Sequence, residues 1–226
     1  MIKIDQRLKT IAELVKNDQA VVADIGTDHA YLPIYLIQSG RARYVYATDI
    51  GAGPLFNAQK DIAHHGLQTK IETRLGPGLV PIKKEDSIDT IVIAGMGGKL
   101  MAEIMEDAND LTQQVNYIFA PHASEIHLRK WLNSHNFMIT DEKIIKEQGK
   151  IYEIIAAHKG PKPPAYDAAD LLMGPLLRHE KNEIFQEKWT KELQKRLFIQ
   201  SQQKESRQPV FSADLAQEIK LIEENL

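Results

Sequence analysis

Asp24-Ile25-Gly26-Thr27-Asp28-His29-Ala30-Tyr31-Leu32-Pro33 is the stretch on which the fold turns. The run before it, Val21-Val22-Ala23, is apolar and β-branched enough for a buried strand. Gly26 then removes a Cβ where the backbone must pass close to a ligand, and Leu32, Ile34, Tyr35, Leu36 and Ile37 give the following helix an apolar face. Strand, glycine turn and helix in that order place a ligand beyond the carboxyl end of the strand, at the first βα turn of an open α/β sheet. The turn holds one glycine rather than the three of the dinucleotide fingerprint. It also carries carboxylates where a pyrophosphate would sit, which argues against a dinucleotide.

The pattern repeats outward from this loop. Residues 3–16 space Ile4, Leu8, Ile11, Ala12, Leu14 and Val15 along one side of an amphipathic helix. Tyr44 to Thr48 forms a second strand ending at Asp49, a helix follows near 53–65, and a third strand lies near 70–74. Ile88 to Ala94 is nearly continuous in apolar character, as a strand buried on both faces requires, and ends at Gly95-Met96-Gly97-Gly98. A helix from about 99 to 107, a strand at Tyr117 to Ala120, and a helix capped by Ser124 and carrying Ile126, Leu128, Trp131 and Leu132 come next. Two last strands, 137–145 and 150–158, flank Gln148-Gly149-Lys150 as a hairpin. The expectation is an α/β, doubly wound, seven-stranded sheet with a terminal antiparallel hairpin.

Gly160-Pro161-Lys162-Pro163-Pro164 interrupts both strand and helix and divides the chain into residues 1–160 and 161–226. Beyond it Phe185, Trp189, Leu193 and Leu197 recur every fourth residue. Leu215, Ile219 and Ile222 resume the pattern after a Gln208-Pro209 break and a Ser212 cap, which predicts an α-helical, coiled-coil-like hairpin. Between Arg178 and Arg207 eight Lys or Arg face five Glu, against a net charge of −3 for the whole chain. That tract is either a solvated helix face or a surface that follows phosphates. With no cysteine in 226 residues, disulfides, thiolate metal sites and thiol nucleophiles are excluded. The start of the chain lacks the apolar core of a signal peptide, and no apolar run approaches the roughly 20 residues that span a bilayer, so a cytoplasmic protein is expected.

The loops after the strands converge on one chemistry. Asp49 ends the second strand about twenty residues after the first loop, where a carboxylate accepts two ribose hydroxyls or simply caps the next helix. Leu75-Gly76-Pro77-Gly78 either lays backbone against an adenine ring or is an ordinary tight turn. At Gly95-Met96-Gly97-Gly98 the missing side chains let a flat ring slide between backbone and Met96.

Together these loops resemble the class I S-adenosylmethionine-dependent methyltransferases, whose fold is Rossmann-like. ADIGTDHAYLP, the GAGPLFNA run from Gly51, IVIAGMGG, and Ala120-Pro121 with Leu128-Arg129-Lys130-Trp131-Leu132 are more closely similar to the bacterial tRNA (adenine-22)-N1-methyltransferase family. The likeness runs through residues 1–226, linker and terminal hairpin included; Pro77 and His122 depart from the pattern. The resemblance implies S-adenosyl-L-methionine as cofactor and tRNA as partner, with no metal and no membrane, in a monomer or weak dimer. It implies cofactor binding by Asp24, Gly26, Thr27, Asp28, Asp49, Ile50, Gly76, Pro77, Gly78, Gly95 and Met96. Asp28, His29 and Asn57 are then the catalytic candidates near the methyl, with Asp28 first; His29 could instead cap its own helix. Lys3, Arg7, Lys9, Arg41, Arg43 and Lys99 are scattered cations that could meet RNA. A small-molecule methyltransferase and a noncatalytic scaffold are the rival readings.

Overall fold

The computed structural model describes residues 1–16, 18–106, 115–162, 165–205 and 213–226. The first helix, α1 (Gln6–Glu13), starts at Asp5, whose side chain accepts the Leu8 N–H. The sheet and its helices then alternate: β1 (Ala20–Ile25), α2 (Tyr31–Gln38), β2 (Ala42–Asp49), α3 (Ala52–His64), β3 (Ile71–Leu75), β4 (Thr90–Ala94), α4 (Gly98–Glu106), β5 (Asn116–Ala120), α5 (Glu125–Ser134), β6 (Phe137–Glu147) and β7 (Lys150–Lys159). Four more helices follow among the described residues: α6 (Ala168–Met173), α7 (Leu177–Glu180), α8 (Glu183–Glu205) and α9 (Ala213–Asn225).

The strand order is β3-β2-β1-β4-β5-β7-β6, with β7 antiparallel to both β5 and β6 and the remaining pairs parallel. The chain reverses its direction of winding between β1 and β4, so the crevice for a ligand lies beyond Ile25 and Ala94. Each central strand feeds two cores by alternation. Val22 and Val92 point to the layer built with α1, α2 and α3, whereas Val21, Ala23, Ile25, Ile91 and Ile93 point to the layer built with α4 and α5. Gln148 and Gly149 both have positive φ, 48° and 78°, which is the turn a two-residue hairpin loop needs.

A third apolar cluster joins the C-terminal helices to the sheet. Phe185 and Trp189 of α8, Leu172 and Met173 of α6, Leu177 of α7 and Ile222 of α9 pack with Ile144 of β6. The four-residue period fades outward: Leu197 is 40% exposed and Phe198 65%. α6 and α7, which the periodicity does not announce, are short helices that fill the space between α5, β6 and the long pair. The expected break at Gln208-Pro209, the Ser212 cap, Pro163-Pro164 and the end of the helix at 107 lie outside the described residues.

Beside this cluster is a buried network of charges. Arg129 of α5 donates to Glu142 of β6 at 2.7 Å and to Glu153 of β7 at 2.6 Å, all three side chains being fully buried. Lys188 of α8 donates to Glu153 at 2.7 Å and to Glu125 of α5 at 2.9 Å. Glu142 also accepts the Leu176 N–H at 2.9 Å, and Gly174, at φ 93°, leaves room where a Cβ would lie 2.8 Å from both Glu142 Oε2 and Arg129 Nη2. Burial raises the Glu142 pKa above the ordinary carboxylate value, against the pull of Arg129. Burial also works against the charge of Glu153, but Lys188 and Arg129 outweigh it and hold that pKa below the ordinary value.

Ser124 departs from the sequence expectation. It occupies the N-cap position of α5 but is left-handed (φ 64°, ψ 37°) and makes no side-chain capping bond. Side-chain capping belongs to the extended region, and here the backbone is turned to lie against α4: the Gly98 N–H donates to Ala123 O at 2.8 Å, and a Cβ on Gly98 would overlap Ser124 O.

Candidate active site

A cavity of about 410 Å³ opens at the crevice between β1 and β4. Its floor is the first loop. The Gly26 and Thr27 N–H groups both donate to Thr48 O at 2.8 Å, which bends the chain away from β1 and ties it to β2. Gly26 sits at φ 83°, and a Cβ there would overlap Met96 Cε, so the glycine provides both the conformation and the room for Met96. Ala30 opens α2 with a left-handed φ of 52°, a conformation that non-glycine residues hold only under constraint from their surroundings.

Asp24 and Asp49, on the paired strands β1 and β2, both line the cavity. Asp24 is buried, and its pKa is pushed up to about 6; burial is the main cause, with the Thr27 hydrogen bond and the charge of Arg7 opposing it and the Asp49 charge adding to the upward push. No ion pair to Asp24 forms among the described residues, so the site holds a desolvated carboxylate that a ligand cation would complete. Asp49 uses Oδ1 to accept the Gly51 N–H at 2.6 Å, fixing the entry to α3, while the carboxylate still faces the cavity. The two roles weighed for Asp49, helix entry and ligand acceptor, are thus compatible in one side chain.

Asp28 and His29 lie at the rim. The Asp28 side chain is 70% exposed, and His29 Nε2 is 3.8 Å from its Oδ2. His29 stacks on Tyr31 with ring centroids 5.2 Å apart, and its Nδ1 is 3.0 Å from Asp61 Oδ2 on α3. It therefore bridges to a neighbouring helix, while Ala30 occupies the N-cap of α2. Asn57 stands one turn before Asp61 on α3, on the same side of that helix, but is exposed and does not line the cavity.

Of the expected cofactor residues, the cavity gathers Asp24, Gly26, Thr27, Asp28, Asp49, Gly95 and Met96. Ile50, Gly76, Pro77 and Gly78 are outside its lining. Ile50 is 74% exposed on the loop after β2, and the Gly76 N–H donates to Asp49 O at 2.9 Å, so the third loop abuts the second. That third loop is braced from below: Arg74 donates to Asp86 at 2.8 Å and to Pro81 O at 2.9 Å, with its guanidinium 4.1 Å from the Tyr46 ring centroid. Asp5, Arg7 and Tyr31 also line the cavity.

The tRNA (adenine(22)-N(1))-methyltransferase family matches residues 22–224. A Bacillus subtilis enzyme of that description is 43% identical over 198 residues, covering 85% of this chain and 82% of its own. The chain belongs to this family. Among solved members, Streptococcus pneumoniae Sp1610 in complex with S-adenosyl-L-methionine superposes with a TM-score of 0.89 at 36% identity, covering 99% of this chain and 100% of its own. The M. capricolum family member, bound to the cofactor product S-adenosyl-homocysteine, has a TM-score of 0.84 at 31% identity, covering 98% of this chain and 96% of its own.

Within this methyltransferase family member, the sequence reading missed two features. Asp61 sits in a polar helix face, and only the fold brings it to His29, 32 positions away. Arg129 was legible only as part of a motif; its place at the centre of a fully buried charge network required the hairpin and α5 to be assembled. A basic residue on the apolar stripe Leu128/Leu132 is the signal that could have marked it.

Proposed function

We infer that this chain transfers the methyl group of S-adenosyl-L-methionine to N1 of adenine 22 in tRNA, leaving N1-methyladenosine and S-adenosylhomocysteine. The observation that carries the reading is the desolvated carboxylate of Asp24, without an ion pair among the described residues, at the switch point of the sheet in a cavity it shares with Asp49, Gly26 and Met96. That arrangement suits a ligand with an ammonium at one end and vicinal hydroxyls at the other. The cofactor supplies an electrophilic methyl on a sulfonium when bound. Asp24 receives its ammonium, Asp49 its ribose, and the Gly26-Thr27 and Gly95-Met96 backbones hold its length. Ile50 and Gly76-Pro77-Gly78 border the adenine end.

In the reaction the adenine N1 lone pair forms the new N–C bond as the C–S pair returns to sulfur, so no base is needed to generate the nucleophile. The ring becomes cationic. Asp28 at the rim stabilises that charge or accepts a hydrogen bond from N6, and His29, held by Asp61 and Tyr31, packs against the incoming base with Asn57 beyond it. Alignment of N1, carbon and sulfur supplies most of the acceleration. A base within a folded tRNA must first be unstacked, at about a few kcal/mol offset by contacts elsewhere, and residues 161–226 offer a second surface for such contacts. The protein acts in the bacterial cytoplasm as a monomer or weak dimer. Incubation with methyl-labelled cofactor and tRNA, followed by nuclease digestion and mass analysis, tests this: label should appear as N1-methyladenosine at position 22 and vanish with a tRNA carrying guanosine there. Label on small molecules alone would reject the reading.

A further inference from the structure

A second concavity, of about 600 Å³, separates the N-terminal end of α5 from α8. It lies at the same end of the sheet as the cofactor cavity, because its inner wall, His122 to His127, follows β5, and β7, antiparallel to β5, begins beside it at Gly149 and Ile151. The two cavities share a hinge of backbone: the His122 N–H donates to Met96 O at 3.0 Å.

The charge of the groove is one-sided. Its carboxylates are spoken for, Glu125 by Lys188 at 2.9 Å and Glu192 by Arg196. The outward cations are not neutralised to the same degree. Lys195 is 68% exposed and 3.9 Å from Glu192, and Lys191 is 63% exposed with one contact, to Glu187, that Lys146 shares. Next to the opposite wall, outside the groove's own lining, Lys99 of α4 and Lys130 of α5 act on the charge of His127, are exposed, and form no ion pair among the described residues. Burial and these two lysines hold the His127 pKa below the ordinary histidine value, a sign that the wall is already positive. Arg41 and Arg43, by contrast, stand at the start of β2, the end of the sheet remote from both cavities.

We propose that the groove between α5 and α8 is a track for the phosphate backbone of the tRNA, with Lys191 and Lys195 on its α8 wall and Lys99 and Lys130 beside its mouth, next to His127. This rests on the tRNA methyltransferase reading above. Phosphates running from Met96 past His122 into the groove would engage both parts of the chain at once and hold the target base over the methyl.

The test compares three double variants of the full chain, Lys99→Ala/Lys130→Ala, Lys191→Ala/Lys195→Ala and Arg41→Ala/Arg43→Ala, by tRNA binding over a salt series, S-adenosylhomocysteine titration and methylation kinetics. The first two should lose about tenfold in tRNA affinity, with the slope of log affinity against log salt shallower by about 1–2. They should raise KM for tRNA and leave S-adenosylhomocysteine affinity as in the wild type, and the Arg41/Arg43 pair should change nothing. Wild-type affinity and slope in both track variants, with wild-type methylation intact, would overturn the track and leave the function standing. A wild-type protein that neither binds nor methylates tRNA would overturn the function and the track with it.

Discussion

Asp24→Asn should make the ligand-free protein more stable while disabling the site. The folded protein holds Asp24 at about 6 against an ordinary 3.8, a difference of about 3 kcal/mol at 1.36 kcal/mol per tenfold in the ionisation constant. Because the folded value is the higher one, the fold prefers the protonated acid: this group costs nothing below pH 4, and the penalty accumulates as pH rises to about 6. Asparagine keeps an oxygen to accept from Thr27 but never carries the buried charge. The melting temperatures of variant and wild type should therefore coincide, as far as this group is concerned, near pH 4. They should diverge between pH 4 and 6, and differ above pH 6 by as much as about 6–12 °C, at about 2–4 °C per kcal/mol for a chain of this size. S-adenosylhomocysteine tells the other half. Loss of a charge-assisted hydrogen bond to its ammonium, about 1.5–3 kcal/mol, should weaken binding about ten- to hundredfold at pH 8. Thermal melts from pH 4 to 8 and calorimetric titration read both. A stability difference that is flat with pH, or undiminished affinity, would refute the burial argument or the ligand assignment respectively.

Other perturbations separate the parts of the molecule. Asp28→Ala should cut methylation at least tenfold while changing S-adenosylhomocysteine affinity only a few-fold; full methylation would remove Asp28 from the transition state. Gly26→Ala must both hold φ 83° and displace Met96, and should cost about 1–2 kcal/mol for the backbone alone; adding Met96→Ala should relieve the overlap but not that cost, as denaturant unfolding would show. Arg129→Ala leaves Glu142 and Glu153 buried with too little positive charge and should destabilise the protein by about 3–5 kcal/mol, measured by the shift in denaturation midpoint. Trp189→Ala should cost a similar amount, about 3–5 kcal/mol, by emptying the cluster beneath α8.

The sheet was readable because its physics is local. Ile88 to Ala94 is apolar without alternation because β4 is covered on both faces, and Gln148-Gly149 fits a two-residue turn whatever surrounds it. The same holds for Asp24, Gly26, Asp49 and Met96, each placed at a strand's carboxyl end by the strand itself. What escaped depends on assembly. Ser124 has the chemistry of a cap, but the close approach of α4 at Gly98 set its backbone otherwise. Asp61 meets His29 only across two helices, and the third loop turns back on itself, with the Val80 N–H donating to Pro77 O; Gly76 borders the second loop and Gly78 lies against Ile104 of α4, both outside the cavity lining.

The buried network around Arg129 bears on where this protein can be cut. A chain ended at residue 160 would keep Glu142 and Glu153 but lose Lys188 and the Leu176 amide that satisfy them, and would bare Ile144. The proline-rich break divides the sequence, whereas the cooperative unit runs across it. A catalytic fragment made by truncation would need those two carboxylates replaced before it could fold alone, and the helices it lacks are as much a keystone of the sheet's antiparallel edge as an appendage to it.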